Sequence, residues 1–468
     1  MYELTVGLET HCELSTATKI FCACSTQPGG EPNTRCCPVC TGQPGSLPVL
    51  NKKVIEYAVK AGLALGCEIS PVSIMERKHY IYPDLAKGYQ ISQYEIPLCL
   101  NGRVTLSNGH VIRINRIHIE EDAGKLVHNW YETRIDYNRA GIPLIEIVTE
   151  PDFHSPDDVV EYLKLIQTTM RYLNVSRCRT EEGSIRCDVN ISVAESGSEE
   201  LGTRTEVKNL NSFTAVHSAI EYEYARQVEQ LKRGHTVVQQ TLGFDEAKGA
   251  TFPQRDKEDA DDYRYFPEPD IVPVCVSKES VEKLRSQLPE LPQSRKKRFL
   301  SFGLSEDVAD QLARHIHIAD YFERAGALSS DYEHAAAMIV TQLFKLYKTD
   351  QEREDFTLED DGTQFGKLLQ LMAQGKVNSN VAKSTFRKML TEKKSLDELL
   401  SQQESVDTSR LSEICKEALE HNAKAVKDYM GGKEKALQAI IGYVMRATRG
   451  AANVEEVRKQ LQDQIKKM

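Results

Sequence analysis

Apolar and polar residues follow two rhythms along the chain, and the change of rhythm divides it. Before about residue 290, short runs alternate with period two, as half-buried strands do. They cover 4–8, 111–119, 142–148 and 185–193. In 111–119 the apolar set Ile112, Ile114, Ile117 and Ile119 breaks phase once, which predicts a bulge or bend. Asn101-Gly102 and Asn108-Gly109 flank residues 103–106 with the chemistry of hairpin turns. Three helical stripes interrupt the strands, at 51–65, 156–174 and 212–233. The second has Ser155 as its cap, Pro156 at its first position and Asp157 and Asp158 in its first turn.

Beyond Pro289-Glu290-Leu291-Pro292 and the basic run Arg295-Lys296-Lys297-Arg298, the rhythm is helical. Residues 357–365 are acidic and polar and read as a loop. Near the end, Leu437, Ile440, Ile441 and Val444 form one stripe, and Val454, Val457, Leu461 and Ile465 another. The pattern predicts an α+β part with a mixed or antiparallel sheet, followed by all-α units. A length of 468 residues fits two to four domains.

The formal charge of −10 argues against a protein that coats nucleic acid without specificity. Resolved along the chain, residues 409–468 carry +4, leaving −14 elsewhere, and 376–394 form a second basic patch. These are either solvated helix faces or phosphate contacts. No apolar run approaches the ~18 residues of a membrane span. Met1-Tyr2-Glu3-Leu4 lacks a basic segment ahead of an apolar one, so the chain is expected in the cytosol, or in an organelle after removal of a transit segment.

Six of the twelve cysteines lie between residues 12 and 40. Clustered thiols in a reducing compartment favour metal over disulfides. Cys22, Cys24, Cys37 and Cys40 form a C-x-C and a C-x-x-C turn, whose four thiolates suit tetrahedral Zn²⁺ in a closed, structural site. Cys36 is then surplus. Metal-free thiols and an iron–sulfur cluster are the alternatives.

A second constellation is acidic: Glu9 with His11, Glu120-Glu121-Asp122, and Glu146 with Glu150. Carboxylates with one imidazole suit Mg²⁺ or Mn²⁺, although spacing alone does not require these segments to meet. Loops at 78–84, 88–93, 208–213 and 262–270 are dense in Tyr, Gln, Asn and Lys. Such loops suit a nucleotide or aminoacyl group, and half-buried core tyrosines would give the same composition. Phosphate-loop, dinucleotide, zincin and nucleophile-elbow signatures are absent.

Eight segments then occur in a telling order: Gly7-Leu8-Glu9-Thr10-His11, Tyr82-Pro83-Asp84, Tyr89-Gln90-Ile91-Ser92-Gln93, Glu120-Glu121-Asp122-Ala123-Gly124-Lys125, Pro143-Leu144-Ile145-Glu146-Ile147-Val148, 183–192, 208–213 and 262–270. Together they resemble the B subunit of the aspartyl/glutamyl-tRNA amidotransferases over essentially the whole chain. The resemblance implies an ATP- and Mg²⁺-dependent ligase of a heterotrimer. Such an enzyme phosphorylates the side-chain carboxylate of Glu or Asp misacylated on the glutamine or asparagine tRNA. It then amidates that carboxylate with ammonia. The ammonia comes from an amidase partner, the A subunit, and a small third partner, the C subunit, holds the pair together. The resemblance further implies Glu9, His11, Glu121 and Glu150 as catalytic Mg²⁺ ligands, with Glu120, Asp122 and Glu146 as neighbours or alternates. Tyr82, Tyr89, Gln90, Ser184, Arg186, Lys208 and Asn209 would line the ATP and aminoacyl pocket. Zinc would brace the N-terminal lobe. The implied domains are a catalytic 1–292, a helical 293–405 and a tail 406–468. The tRNA contacts would include Lys383, Arg387, Lys388, Lys433, Lys435, Arg446 and Arg449. A non-catalytic tRNA-binding scaffold, and a ligase acting on free amino acids, stand as rivals.

Overall fold

A computed structural model describes residues 1–256, 263–357, 359–401, 408–448, 452 and 454–466. Its first strand, β1 (Tyr2–Glu13), organises the N-terminal unit. Successive strand side chains point to opposite faces. Leu4, Val6, Leu8, Thr10 and Cys12 are therefore buried on one side, while Glu9, His11 and Glu13 share the other.

β1 is the middle strand of a nine-stranded sheet. The others, in chain order, are β2 (Glu68–Ile69), β3 (Cys99–Thr105), β4 (Val111–Glu121) and β5 (Pro143–Thr149). Then follow β6 (Ile185–Glu195), β7 (Thr205–Leu210), β8 (Gln240–Asp245) and β9 (Ala250–Asp256). The spatial order is β9-β8-β7-β6-β1-β5-β4-β3-β2. All neighbours are antiparallel except β7 and β8, so the sheet is mixed.

Three helices cover the apolar face: α1 (Lys52–Ala64), α2 (Pro156–Tyr172) and α3 (Phe213–Lys232). They bury Val54, Val59, Tyr162, Ile166, Val216 and Ile220 in one core with Ile117, Ile145, Ile147, Val189 and Ile191. Each starts where its cap dictates. Asn51, Ser155 and Ser212 side chains accept from the amides of Lys53, Asp157 and Ala215, satisfying donors that helix geometry leaves without partners.

The break in phase predicted at 111–119 sits at Asn115. Val148 faces Arg116 and Thr149 faces Ile114, so Asn115 is an extra residue on β4. The adjacent strand breaks with it. Leu100 faces Arg116 and Gly102 faces Ile114, which sets Asn101 opposite Asn115. Asn101 has φ +56°, and burial changes sides there, from Cys99 to Gly102 and Val104. Asn101-Gly102 is therefore a kink within a strand and not the hairpin turn its residue types predicted. Only Asn108-Gly109 makes a turn, closed by Leu106 and His110.

Contacts divide the described chain into two units, Met1–Pro292 and Gln293–Met468. The second unit is helical among its described residues and holds two apolar cores. One is built on Phe299, Phe322, Phe365 and Phe386, the other on Leu411, Ile440, Val457 and Leu461. The loop expected at 357–365 gives way to a helix, Thr363–Ala373. The acids there are its caps: Asp360 accepts from the amides of Gln364 and Phe365, and Asp361 from Thr363.

A buried histidine in this unit carries an ion cluster. His315, 1% exposed, contacts Glu354 at 2.8 Å and Asp350 at 3.8 Å. Burial alone would lower the imidazole pKa, but the carboxylates of Asp350 and Glu354 beside it raise it above 6.5. The His315 imidazole, with Arg314, in turn helps hold Asp350 down at about 2. A histidine raised on folding stabilises fully below its unfolded pKa and loses that contribution as pH rises through the folded value. Thermal unfolding should therefore show declining stability above about pH 6.5, and His315→Gln should flatten the decline. Equal pH dependence in the two proteins would dismiss the cluster as a stabilising device.

Candidate active site

The polar face of the sheet gathers the acids by register. His11 on β1 faces Glu146 on β5 and Arg186 on β6, and Glu146 in turn faces His118 on β4. One row along, Glu9 faces Asp188. Two groups of potential ligands result, each with its ligand atoms within 4.8 Å of one another: His11, Glu120 and Glu146, and Glu9, Asp188 and Glu206.

The first group has no internal lysine. His11 Nε2 lies 3.5 Å from Glu120 and 3.6 Å from Glu146, and His118 Nε2 lies 3.0 Å from Glu146. Burial, with Glu146 nearby, lifts Glu120 to about 8. Burial works against the charge of Glu146 too, but His118 and His11 beside it hold its carboxyl below the usual range. Burial keeps His11 below its ordinary pKa. At neutral pH the ring is then uncharged, the form that offers a lone pair. One imidazole and two crowded carboxylates make a hard donor set that fits Mg²⁺ or Mn²⁺.

The second group already holds a cation. Lys208 Nζ lies 3.1 Å from Asp188 and 3.2 Å from Glu206. Asn190 donates to Glu9 at 3.0 Å. Burial, then Glu146, Glu206 and Asp188, push Glu9 up to about 7.

A family profile described as the GatB/GatE catalytic domain matches residues 4–282, and one described as the GatB domain matches 320–465. The chain is 47% identical to the B subunit of the aspartyl/glutamyl-tRNA(Asn/Gln) amidotransferase of Thermoanaerobacter pseudethanolicus, over 100% of both chains. It is 45% identical to that of Carboxydothermus hydrogenoformans, over 100% of this chain and 99% of the relative. With the Agathobacter rectalis protein of the same name it shares 46% identity, over 99% of each. The chain belongs to the GatB family.

In this GatB chain the expected residues do not all converge. Glu9 and His11 stand on the polar face. Glu121 does not: it follows Ile117 and Ile119 onto the opposite face, where it accepts from the Ile91 amide at 2.9 Å and from Lys87. Glu150 lies beyond the end of β5 and accepts from Asn115 at 2.7 Å. Their places beside His11 are taken by Glu120 and Glu146. Alternation explains both shifts, since Glu120 is in phase with His118, and Glu146 is out of phase with Ile145 and Ile147. The signal was present in the sequence once the break at Asn115 is counted.

Among the pocket candidates, Arg186 donates to Asp122 at 2.8 Å at the end of the His11 row. Gln90 donates to the Glu121 carbonyl. Tyr89 packs under the Arg77 guanidinium, and Tyr82, half exposed, stacks on Tyr80. Ser184 closes a turn with the Arg179 backbone. Asn209 is on β7, and only its backbone is described. Sequence reasoning missed His118, Asp188, Glu206 and Lys78. Lys78, on the short strand Glu76–His79, lies over the Tyr263 ring. Burial opposes its charge, while Tyr265, Glu120 and Glu146 favour it.

In the helical unit, Lys383, Arg387 and Lys388 are exposed on the helix Ser379–Glu392. Lys433, Lys435 and Arg446 are exposed too, and Arg449 lies outside the described residues.

Between β1 and α1 the sulfurs of Cys22, Cys24, Cys37 and Cys40 lie within 4.8 Å of one another. Hydrogen bonding from Cys22 helps pull the Cys40 thiol down to about 5. Cys36 turns away to the Asn33 carbonyl. Four converging thiols fit a structural zinc ion. Metal analysis of purified protein should find about one zinc per chain, lost in Cys37→Ser and kept in Cys36→Ser. Retention by the first variant would remove Cys37 from the ligand set.

Proposed function

We propose that this GatB chain is the catalytic B subunit of a glutamine-dependent aspartyl/glutamyl-tRNA amidotransferase in the cytoplasm. It would use ATP to phosphorylate the side-chain carboxylate of Glu-tRNA(Gln), Asp-tRNA(Asn) or both, and then amidate it with ammonia. Its amidase partner, the A subunit, would release the ammonia from glutamine, and the small C subunit would complete the heterotrimer. What carries the reading is the likeness to relatives of that name along the full chain. The grouping of His11, Glu120 and Glu146 on one face supports it.

The chemistry suits such a face. A carboxylate resists nucleophiles because it is anionic and resonance-stabilised, so it must first become an acyl phosphate. Mg²⁺ held by His11, Glu120 and Glu146, with Glu9 beside them, would offset charge on the phosphates and the acyl oxygen. Lys78 offers a cation at the edge of this group, and Arg186 a second one braced by Asp122. No nucleophilic side chain is required, because ammonia is the attacking group. Exposed Lys383, Arg387, Lys388, Lys433, Lys435 and Arg446 supply positive charge for the phosphates of tRNA.

His11→Ala or Glu146→Ala, assayed in the assembled enzyme, should reduce ATP-dependent amidation by more than the about 10–100-fold typical of losing an outer partner of a metal. Glutaminase activity and tRNA binding should persist. Full amidation by either variant would leave only the scaffold reading. Reversing charge at Lys383 and Arg387 should weaken tRNA binding and flatten its salt dependence by about one slope unit per lost phosphate contact. An unchanged salt slope would clear this helix of contact with tRNA.

A further inference from the structure

Lys19 is 0% exposed, yet no carboxylate among the described residues forms an ion pair with it. Its ammonium has two neighbours instead: the Cys40 sulfur at 3.7 Å and the Tyr137 carbonyl at 3.2 Å. A buried charge is costly without an opposite charge or strong hydrogen bonds. The nearest source of negative charge is the cysteine cage itself. Four thiolates around one divalent zinc leave a net charge of minus two, which needs a cation as much as Lys19 needs an anion.

We propose that Lys19 is the built-in counter-cation of the four-cysteine cage. Its N–H donates to Cys40, draws electron density from that sulfur and slows both loss of the metal and attack on the thiolate. The second acceptor gives the pairing reach. The Tyr137 carbonyl, and Gly141, which accepts from the Ile20 amide, belong to the segment leading into β5. Gly141 also donates to the Asp122 carbonyl at the end of β4. The cage, through Lys19, thereby holds the segment between two strands that carry the candidate active-site acids. Lys19 acts through Cys40 and is a positioning residue.

This rests on the zinc reading above, and the test separates the two. The full chain carrying Lys19→Met, close in volume but uncharged, is compared with wild type for zinc release to 4-(2-pyridylazo)resorcinol. Alkylation of Cys40 by iodoacetamide is followed by mass spectrometry. Release should quicken at least about 10-fold, as for other outer partners of metal ligands, and Cys40 should be alkylated faster. In a chain with all four cysteines changed to Ser, the same Lys19→Met should raise the melting temperature, because the buried charge there has lost its anion. A residue that only fills space would lower melting in both backgrounds. Wild type without zinc overturns the cage and this inference together. Zinc-bound wild type with unchanged release in Lys19→Met overturns the counter-cation alone. Should Lys19→Met fail to fold with the cage present, the cage-free pair decides: a lower melting temperature refutes the proposal.

Discussion

The molecule's chemistry depends on one two-faced strand. β1 presents Leu4, Val6, Leu8, Thr10 and Cys12 to a helix-covered core, and Glu9, His11 and Glu13 to the opposite side. A shift of one residue would drive three ionisable groups into the core and pull the apolar set out, so burial of one face fixes the register of the other. Cross-strand pairing then spreads that register. His11 is matched with Glu146 and Arg186, and Glu9 with Asp188. The acids meet because the hydrophobic core leaves them no alternative.

The crowding has an electrostatic cost that the fold meets unevenly. Lys208 neutralises Asp188 and Glu206, and Arg186 and Arg139 neutralise Asp122. The group around His11 has Lys78 and Arg186 at its edge and no lysine within it, and burial raises Glu120 there to about 8. The thiol cage is the complement, a soft donor set in a loop between β1 and α1 with its own lysine. The two sets share no residue, and hard and soft donors of these kinds favour different ions.

Much of this was legible in the residues. The three helices that cover the sheet were readable because their caps and stripes are local signals, and the core strands because apolar runs alternate. The pairing of two cysteine turns was equally local. The register sets Glu120 beside His11 and turns Glu121 to the opposite face, and reading that from the sequence requires counting phase through a bulge. Glu146 meets His11 while Glu150 lies beyond the strand, and an acid between two isoleucines looks like a core position until alternation assigns it to the other face. Asn101-Gly102 misled by its composition, since its positive φ serves a kink and not a turn. His118, Asp188 and Glu206 become candidates only when β4, β6 and β7 are laid beside β1, which is tertiary information.

The paired irregularity at Asn101 and Asn115 has a consequence for how the site is encoded. Ile112 and Ile114 face the core before it, and Ile117 and Ile119 after it, so the two halves of β4 are in opposite frames. Which of two adjacent glutamates reaches His11 is settled by one uncharged residue that touches neither of them. A chain one residue shorter there would keep both glutamates in its composition and turn the other one toward His11. Which acid meets His11 is written as an integer, the number of residues between the kink and the acid.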